Sequence, residues 1–77
     1  MPIHIKADMA ASVWKVLVEP GDQVAENQQL VILESMKMEI PVVSFSAGVV
    51  ITVVASEGSS VLEGDVLVTL SDDGETG

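Results

Sequence analysis

The sequence predicts an all-β fold, a small sandwich or barrel made of two similar halves. Of its 77 residues, 48% are apolar, and these are largely aliphatic because the chain has one Trp, one Phe and no Tyr. Valine is the commonest residue, and β-branched side chains favour strands. Short apolar runs alternate with turns marked by Gly and Pro, and the same pattern occurs twice along the chain.

The two halves are related by an offset of 37 residues, which places Val13 on Val50. Between residues 11 and 33 the offset superimposes identical residues at eight positions, where chance gives about one or two. In the first half these positions are Val13, Val16, Gly21, Val24, Glu26, Leu30, Val31 and Leu33. The repeat predicts two half-domains of the same structure, related by a pseudo-twofold axis.

Each half contains four strand candidates. In chain order the first half has them at residues 3–7, 12–18, 23–25 and 30–34. The second half repeats them at residues 39–43, 48–54, 60–62 and 66–70. Short strands at close spacing, separated by Gly-marked turns, are typical of sandwiches and barrels.

The turns between these strands also match. Residues 19–22 contain Pro and Gly, and residues 56–59 contain Gly at the equivalent place. Asn27 stands where the second half has Gly64, and both residue types tolerate the positive φ that we expect there. We predict one domain over residues 1–71, followed by a flexible acidic tail at residues 72–77.

Residues 25–40 give a conflicting local signal. They are rich in Glu, Gln, Leu, Met and Lys, which favour helix, and Pro41 would end such a helix. The repeat opposes this interpretation, because Leu30 to Leu33 match Leu67 to Leu70. The second of these segments runs into an Asp- and Gly-containing tail and cannot lie in a long helix. We therefore predict strands in both places.

Charge excludes several classes of function. Three Lys and no Arg stand against twelve acidic residues, a net charge of −9. Binding to nucleic acid or to an anionic membrane surface requires clustered cations, so neither is expected. The absence of Cys excludes disulfides and thiol chemistry. No apolar stretch approaches the length of a membrane span and no secretion signal is visible, so we expect a cytoplasmic protein.

The chain lacks a recognisable catalytic set. His4 is its single histidine, and no nucleophile, base and orienting group are apparent together. Asp22, Asp72 and Asp73 lack the alternation of a calcium loop, so no metal site is predicted. We expect Trp14 to be a half-buried strand residue. These observations indicate a protein that is not an enzyme.

Lys37 is the exception, because it lies between Met36 and Met38 at the joint of the two halves. The joint has no counterpart within the other repeat, and the pseudo-twofold places it at the opposite end of the domain from the termini. Tight hairpin turns favour Asn, Gly and Asp, so Met and Lys are unusual residues for a turn at this place. The residues alone leave two interpretations: a displayed functional lysine, or a surface lysine whose two methionine neighbours pack on the core.

A family resemblance favours the first interpretation. Residues 34–41 read ESMKMEIP, which resembles the biotin-attachment signature of biotin carboxyl carrier domains. Residues 18–24, 47–50 and 61–67 are similar to other segments of that family, so the likeness covers nearly the whole chain. The chain most resembles the small stand-alone biotin/lipoyl attachment proteins. The resemblance implies a flattened barrel-like sandwich of two four-stranded antiparallel sheets, with quasi-twofold symmetry and Lys37 on an exposed β-hairpin.

The resemblance also implies a function. Biotin would be attached covalently to Lys37, with Met36 and Met38 as flanking recognition residues. The implied partners are biotin protein ligase and the carboxylase and carboxyltransferase subunits between which the carrier swings carboxybiotin. The same lysine could instead carry lipoate for a 2-oxoacid dehydrogenase or glycine cleavage type of system. An unmodified binding module with a Met-rich tip also stays open, whereas the helical bundle of an acyl carrier protein conflicts with the Val-rich repeat.

Overall fold

A computed structural model describes residues 2–71, which form eight β-strands. In chain order these are β1 (Pro2–Lys6), β2 (Ala11–Val16), β3 (Gln23–Val24), β4 (Gln29–Ser35), β5 (Met38–Val43), β6 (Gly48–Val53), β7 (Ser60–Val61) and β8 (Val66–Ser71). All eight predicted strands are confirmed, with bounds that move by one or two residues. The described residues form no helix, so no helix among them could span a membrane. The acidic tail at 72–77 lies outside the described residues.

The strands form two antiparallel four-stranded sheets that repeat one topology. One sheet has the order β1-β8-β6-β3 and the other has the order β5-β4-β2-β7. Shifting each strand of the first sheet by 37 residues gives the second sheet in the same order. The pseudo-twofold relation that the repeat predicted is therefore confirmed at the level of strand pairing.

Both halves carry the same irregularity in their central strand. Along the β2–β4 pair, Val13 lies opposite Leu33 and Lys15 opposite Ile32, so Trp14 is an extra residue. Along β6–β8, Ile51 is the extra residue in the same way. Such a bulge breaks the alternation of side chains between the two faces. Trp14 and Lys15 consequently both lie on the exposed side of their sheet.

The core follows the twofold as well. Its buried apolar residues form six pairs of twofold mates, with Ile5 and Ala7 in addition: Val13/Val50, Val18/Ala55, Val24/Val61, Leu30/Leu67, Val31/Val68 and Leu33/Leu70. Each fully buried Leu or Val stabilises the fold by roughly 1.5–3 kcal/mol relative to an exposed one. Ser44 is buried among them, and its hydroxyl donates to the carbonyl of Ser46. The same positions therefore face inward in both halves.

Two glycine turns form hydrogen bonds between the two halves. The amide of Gly21 donates to the carbonyl of Val50 at 2.8 Å, and the amide of Gly58 donates to that of Val13 at 2.8 Å. The φ angles are +97° at Gly21 and +89° at Gly58, a region that a Cβ disfavours. Asn27 and Gly64 also adopt positive φ, 72° and 90°, which confirms that prediction. The turn glycine of each half thus forms a hydrogen bond with the bulged strand of the other half.

We predict that Gly58→Ala lowers the stability of the domain by about 1–2 kcal/mol, through backbone strain alone. A Cβ at Gly58 would meet no atom within 4 Å, so steric overlap does not contribute. A loss of about 1 kcal/mol corresponds to about 4–8 °C in Tm for a domain of this size. Thermal unfolding monitored by circular dichroism measures it.

The matched control is Gly64→Asn, because Asn27 already adopts positive φ at the mate of that position. This variant should melt close to the unmodified protein. Equal melting of Gly58→Ala and the unmodified protein would show that the turn does not need its left-handed backbone.

Candidate functional site

The candidate site is the connection between β4 and β5. Ser35 at the end of β4 pairs with Met38 at the start of β5, which leaves Met36 and Lys37 as a two-residue loop. Their φ angles are 53° and 67°. Positive φ at both central residues defines the type I′ turn, whose twist matches that of the flanking strands. Lys37 therefore occupies the third position of a tight hairpin turn.

The turn holds two side chains in an unfavourable backbone region. Type I′ turns prefer Asn and Gly, and other residues in the left-handed region cost roughly 1–2 kcal/mol each. Among residues 2–71, the non-glycine residues with positive φ are Asn27, Met36 and Lys37. The two that are poorly suited to this conformation are thus adjacent and both belong to the turn. Strain that the surroundings maintain is a common property of functional sites.

All three residues of the Met-Lys-Met segment are exposed to solvent. Met36 is 91% exposed and Met38 is 64% exposed, so the interpretation in which these methionines pack on the core is wrong. Within residues 2–71 the Lys37 amine has no hydrogen-bond or ion-pair partner. The turn therefore presents a free amine between two large apolar side chains.

The turn lies at the end of the molecule away from the chain ends. Residues 7–10 connect the end of β1 to the start of β2, and there Ser12 pairs with Glu34, beside the turn. β1 therefore begins at the opposite end, where Pro2 pairs with Ser71. The domain measures 42 Å along its longest axis and 17 Å across. A group on Lys37 projects from a narrow tip.

Two carboxylates lie directly behind the tip. Glu34 and Glu39 form one cross-strand pair, adjacent to the pair of Ser35 and Met38. Like charges directly opposite each other in a sheet are destabilising, and both side chains are exposed. A two-residue loop at Met36 and Lys37 necessarily places Glu34 opposite Glu39. The sequence therefore predicts this pair once the loop length is known. The tip therefore combines backbone strain with charge repulsion.

The other sequence candidates lie elsewhere and do not form a second centre. His4 is exposed, and its Nδ1 lies 3.3 Å from the hydroxyl of Thr69. The Lys15 amine lies 5.5 Å from the centre of the Trp14 ring, an arrangement that the bulge permits and that sequence alone did not predict. Asp22 accepts a hydrogen bond from the Glu19 amide at 2.9 Å. Among the described residues, no group of three or more His, Cys, Asp or Glu side chains could hold a metal ion.

A biotin/lipoyl domain model described as "biotin-requiring enzyme" matches residues 1–70. The chain belongs to this biotin/lipoyl family. It is 51% identical over 67 residues to the biotin/lipoyl attachment protein of Bacillus subtilis, covering 87% of this chain and 92% of that protein. It is 48% identical over 65 residues to the biotin carboxyl carrier protein of Streptococcus mutans, covering 84% of this chain and 50% of the other.

The same fold occurs in a solved structure. A single-chain, multi-domain long-chain acyl-CoA carboxylase superimposes with a TM-score of 0.84 at 30% identity, over 91% of this chain and 7% of that one. A cofactor attached by an amide requires an accessible primary amine. Within residues 2–71 the Lys37 amine is exposed and has no partner, so it fits that requirement.

We predict that the turn strain is measurable by comparing Lys37→Gly with Lys37→Ala. Both variants remove the charge, and they differ only in the Cβ that a positive φ disfavours. Lys37→Gly should be the more stable by about 1 kcal/mol, or about 4–8 °C in Tm. Thermal unfolding of the two variants measures the difference.

The same Gly substitution one residue later provides the control. Met38 begins β5 and has no positive φ, so Met38→Gly should lower Tm because glycine weakens a strand. A Tm for Lys37→Gly at or below that of Lys37→Ala would contradict the left-handed turn.

Proposed function

We propose that this chain is a biotin carrier, modified covalently on the Lys37 amine, that moves a carboxyl group between a carboxylase and a carboxyltransferase site. The observation that carries the proposal is the free, exposed amine on a strained two-residue turn at the tip of the domain. Biotin supplies a ureido nitrogen that accepts and releases the carboxyl group. The protein supplies the position of that group.

Attachment requires an activated acyl donor. A biotin protein ligase would provide biotinyl adenylate, and the Lys37 nitrogen would attack its acyl carbon. The new C–N bond replaces the bond between the acyl carbon and the phosphate oxygen, so AMP leaves with that electron pair and the amine loses a proton. Among residues 2–71 the one imidazole belongs to His4, which is hydrogen-bonded to Thr69 on the other sheet and not to Lys37. The ligase must therefore remove the amine's protons.

The neighbours of Lys37 have separate roles in this proposal. Met36 and Met38 give the ligase an apolar surface on both sides of the amine, since both side chains are exposed. Formation of the amide removes the charge of the lysine and takes the net charge from −9 to −10. The tip then changes from an ammonium flanked by two carboxylates to two carboxylates alone. The ligase can use that difference to bind the substrate and release the product.

The chain acts as a carrier subunit and not as an enzyme in this proposal. The carboxylase in which a similar domain occurs is a multi-domain chain, so the catalytic sites belong to partners of this protein. A surface of net charge −9 favours partner surfaces that are neutral or basic where they touch it. We also propose a cytoplasmic location, in the compartment where ligase, ATP and free biotin meet.

We predict that purified protein incubated with biotin protein ligase, ATP and biotin gains the mass of one biotinyl group. Intact mass spectrometry measures the adduct and peptide mapping locates it. Lys37→Ala should gain nothing, while Lys6→Ala and Lys15→Ala should be modified at the normal rate. Biotin on Lys6 or Lys15 in the Lys37→Ala protein would contradict the assignment. A parallel reaction with lipoate and a lipoate ligase tests the alternative. Lipoylation without biotinylation would show that the cofactor carried on Lys37 is lipoate and not biotin.

We predict that exchanging Lys37 and Met38 abolishes most of the modification. The double variant Lys37→Met, Met38→Lys keeps composition and charge, but it moves the amine from the turn into β5. Ligases that hold a reactive adenylate need near-attack geometry, and about 1 Å of misplacement costs about a hundredfold in rate. Single-turnover biotinylation rates measure the loss, with thermal unfolding as the control for folding. A native rate at position 38 would show that the turn does not select the lysine.

A further inference from the structure

The two sheets leave a groove between β1 and β5. Each of these strands is the edge of its sheet, paired with one neighbour in the described residues. The groove has a volume of about 390 Å³, and its walls include His4, Ile5 and Lys6 of β1 and Ile40, Pro41 and Val42 of β5. Pockets for small molecules begin at about 300 Å³. The groove is therefore large enough for a bicyclic ring.

The two walls differ in chemistry although the scaffold is symmetric. The 37-residue offset makes His4 the mate of Pro41, Lys6 the mate of Val43, and Asp8 the mate of Phe45, and all six line the groove. In each of these three pairs the residue on the β1 side is polar and its mate is apolar, whereas a fourth pair, Ile5 and Val42, is apolar on both sides. Val43 and Phe45 are 40% and 63% exposed. A ligand that suits both walls has one polar edge and one apolar edge.

The groove begins within reach of a group tethered to Lys37. Ile40 lies three residues after Lys37 in the sequence, so their Cα atoms are at most about 10 Å apart at roughly 3.3 Å per residue. A biotinylated lysine arm extends about 12–14 Å, roughly ten bonds. A smaller cavity, of about 270 Å³, is lined by Ser60 and Val61 of β7. β7 lies three strands away from β5 in its sheet, a lateral distance of about 14 Å. The groove, which β5 itself lines, is therefore the cavity nearer to the strand that follows Lys37.

We propose that the groove between β1 and β5 is a resting site for the biotin ring carried on Lys37, an inference that rests on the proposed function. The ureido edge of the ring is polar and faces the β1 wall, where its carbonyl oxygen accepts a hydrogen bond from the Lys6 amine. The thioether edge and the aliphatic arm pack on Ile40 and Val42. The dithiolane ring of lipoate has no carbonyl for Lys6, so the groove fits biotin better than lipoate.

A tethered ring needs little intrinsic affinity to occupy such a site. Short flexible tethers give effective concentrations of about 1 mM. An intrinsic Kd of about the same size therefore leaves the groove half occupied. The ring remains free to leave for a partner's active site, and while docked it is shielded from solvent.

The test compares unmodified and fully biotinylated protein by NMR. Protein labelled with 15N and 13C is biotinylated with the ligase, and intact mass confirms complete modification. Residues next to Lys37 shift in any case, so the informative signals are the methyl groups of Ile5 and Met9, which lie on other segments of the groove wall. Both should shift on biotinylation and show NOEs to the ring protons, while Val54 and Val61 of the smaller cavity should not.

Two charge-removing variants test the polar contact. Lys6→Met and Lys15→Met each remove one ammonium from an exposed strand position and keep a long side chain. In biotinylated Lys6→Met, the shift changes at Ile5 and Met9 should fall to less than half, whereas Lys15→Met should keep them. Undiminished changes in Lys6→Met would overturn the proposed docking mode.

The two proposals fail in different ways. Complete biotinylation with shift changes confined to residues 35–38 would overturn the resting site and leave the carrier function intact. Absence of any adduct on Lys37 would overturn the carrier function, and the resting site with it. Equal shift changes at Ile5 and Met9 in lipoylated protein would overturn the preference of the groove for biotin.

Discussion

The two halves of this domain exchange strands: β1–β8, β2–β7, β3–β6 and β4–β5 each pair a strand of one half with a strand of the other, and a turn glycine of each half also bonds the central strand of the other. The amides of Gly21 and Gly58 donate to the carbonyls of Val50 and Val13, the residues that precede the bulges in β6 and β2. Both acceptor residues are fully buried in the core, so each turn is fixed against the interior of the domain. The length of the Lys37 turn is set by the register of β4 against β5, in which Ser35 pairs with Met38.

The strain at the tip is maintained by that register. Slipping β5 by one residue against β4 would relax the turn, but it would move Ile40 and Val42 from the core side of the sheet to the solvent side. Both pack against the buried cluster, and their burial, at most roughly 1.5–3 kcal/mol each, offsets the roughly 1–2 kcal/mol that each of the two left-handed residues costs. The register of β4 against β5 therefore opposes slippage and keeps the Lys37 amine on the turn.

Much of the fold was predictable because the chain repeats itself. The offset of 37 residues located all eight strands and the paired glycine turns, and it correctly overruled the helical composition of residues 25–40. The bulges at Trp14 and Ile51 were not predicted, because one inserted residue inside a short strand leaves no clear break in its alternation. The groove was missed because its walls come from β1 and β5, which do not pair with each other. For Lys37 the residues alone left two interpretations, and the resemblance decided between them.

The site and the groove both arise where the two halves of the repeat have diverged. The pair of Glu34 and Glu39 is the twofold mate of the pair of Ser71 and Pro2, so the turn occupies in one sheet the place of the chain ends in the other. A closed turn can therefore exist at one end of the domain and not at both. The groove lies between β1 and β5, which are twofold mates, and in a perfect repeat its two walls would be identical. His4 and Lys6 on β1, opposed to Pro41 and Val43 on β5, make the two walls different, and β5 begins at the Lys37 turn.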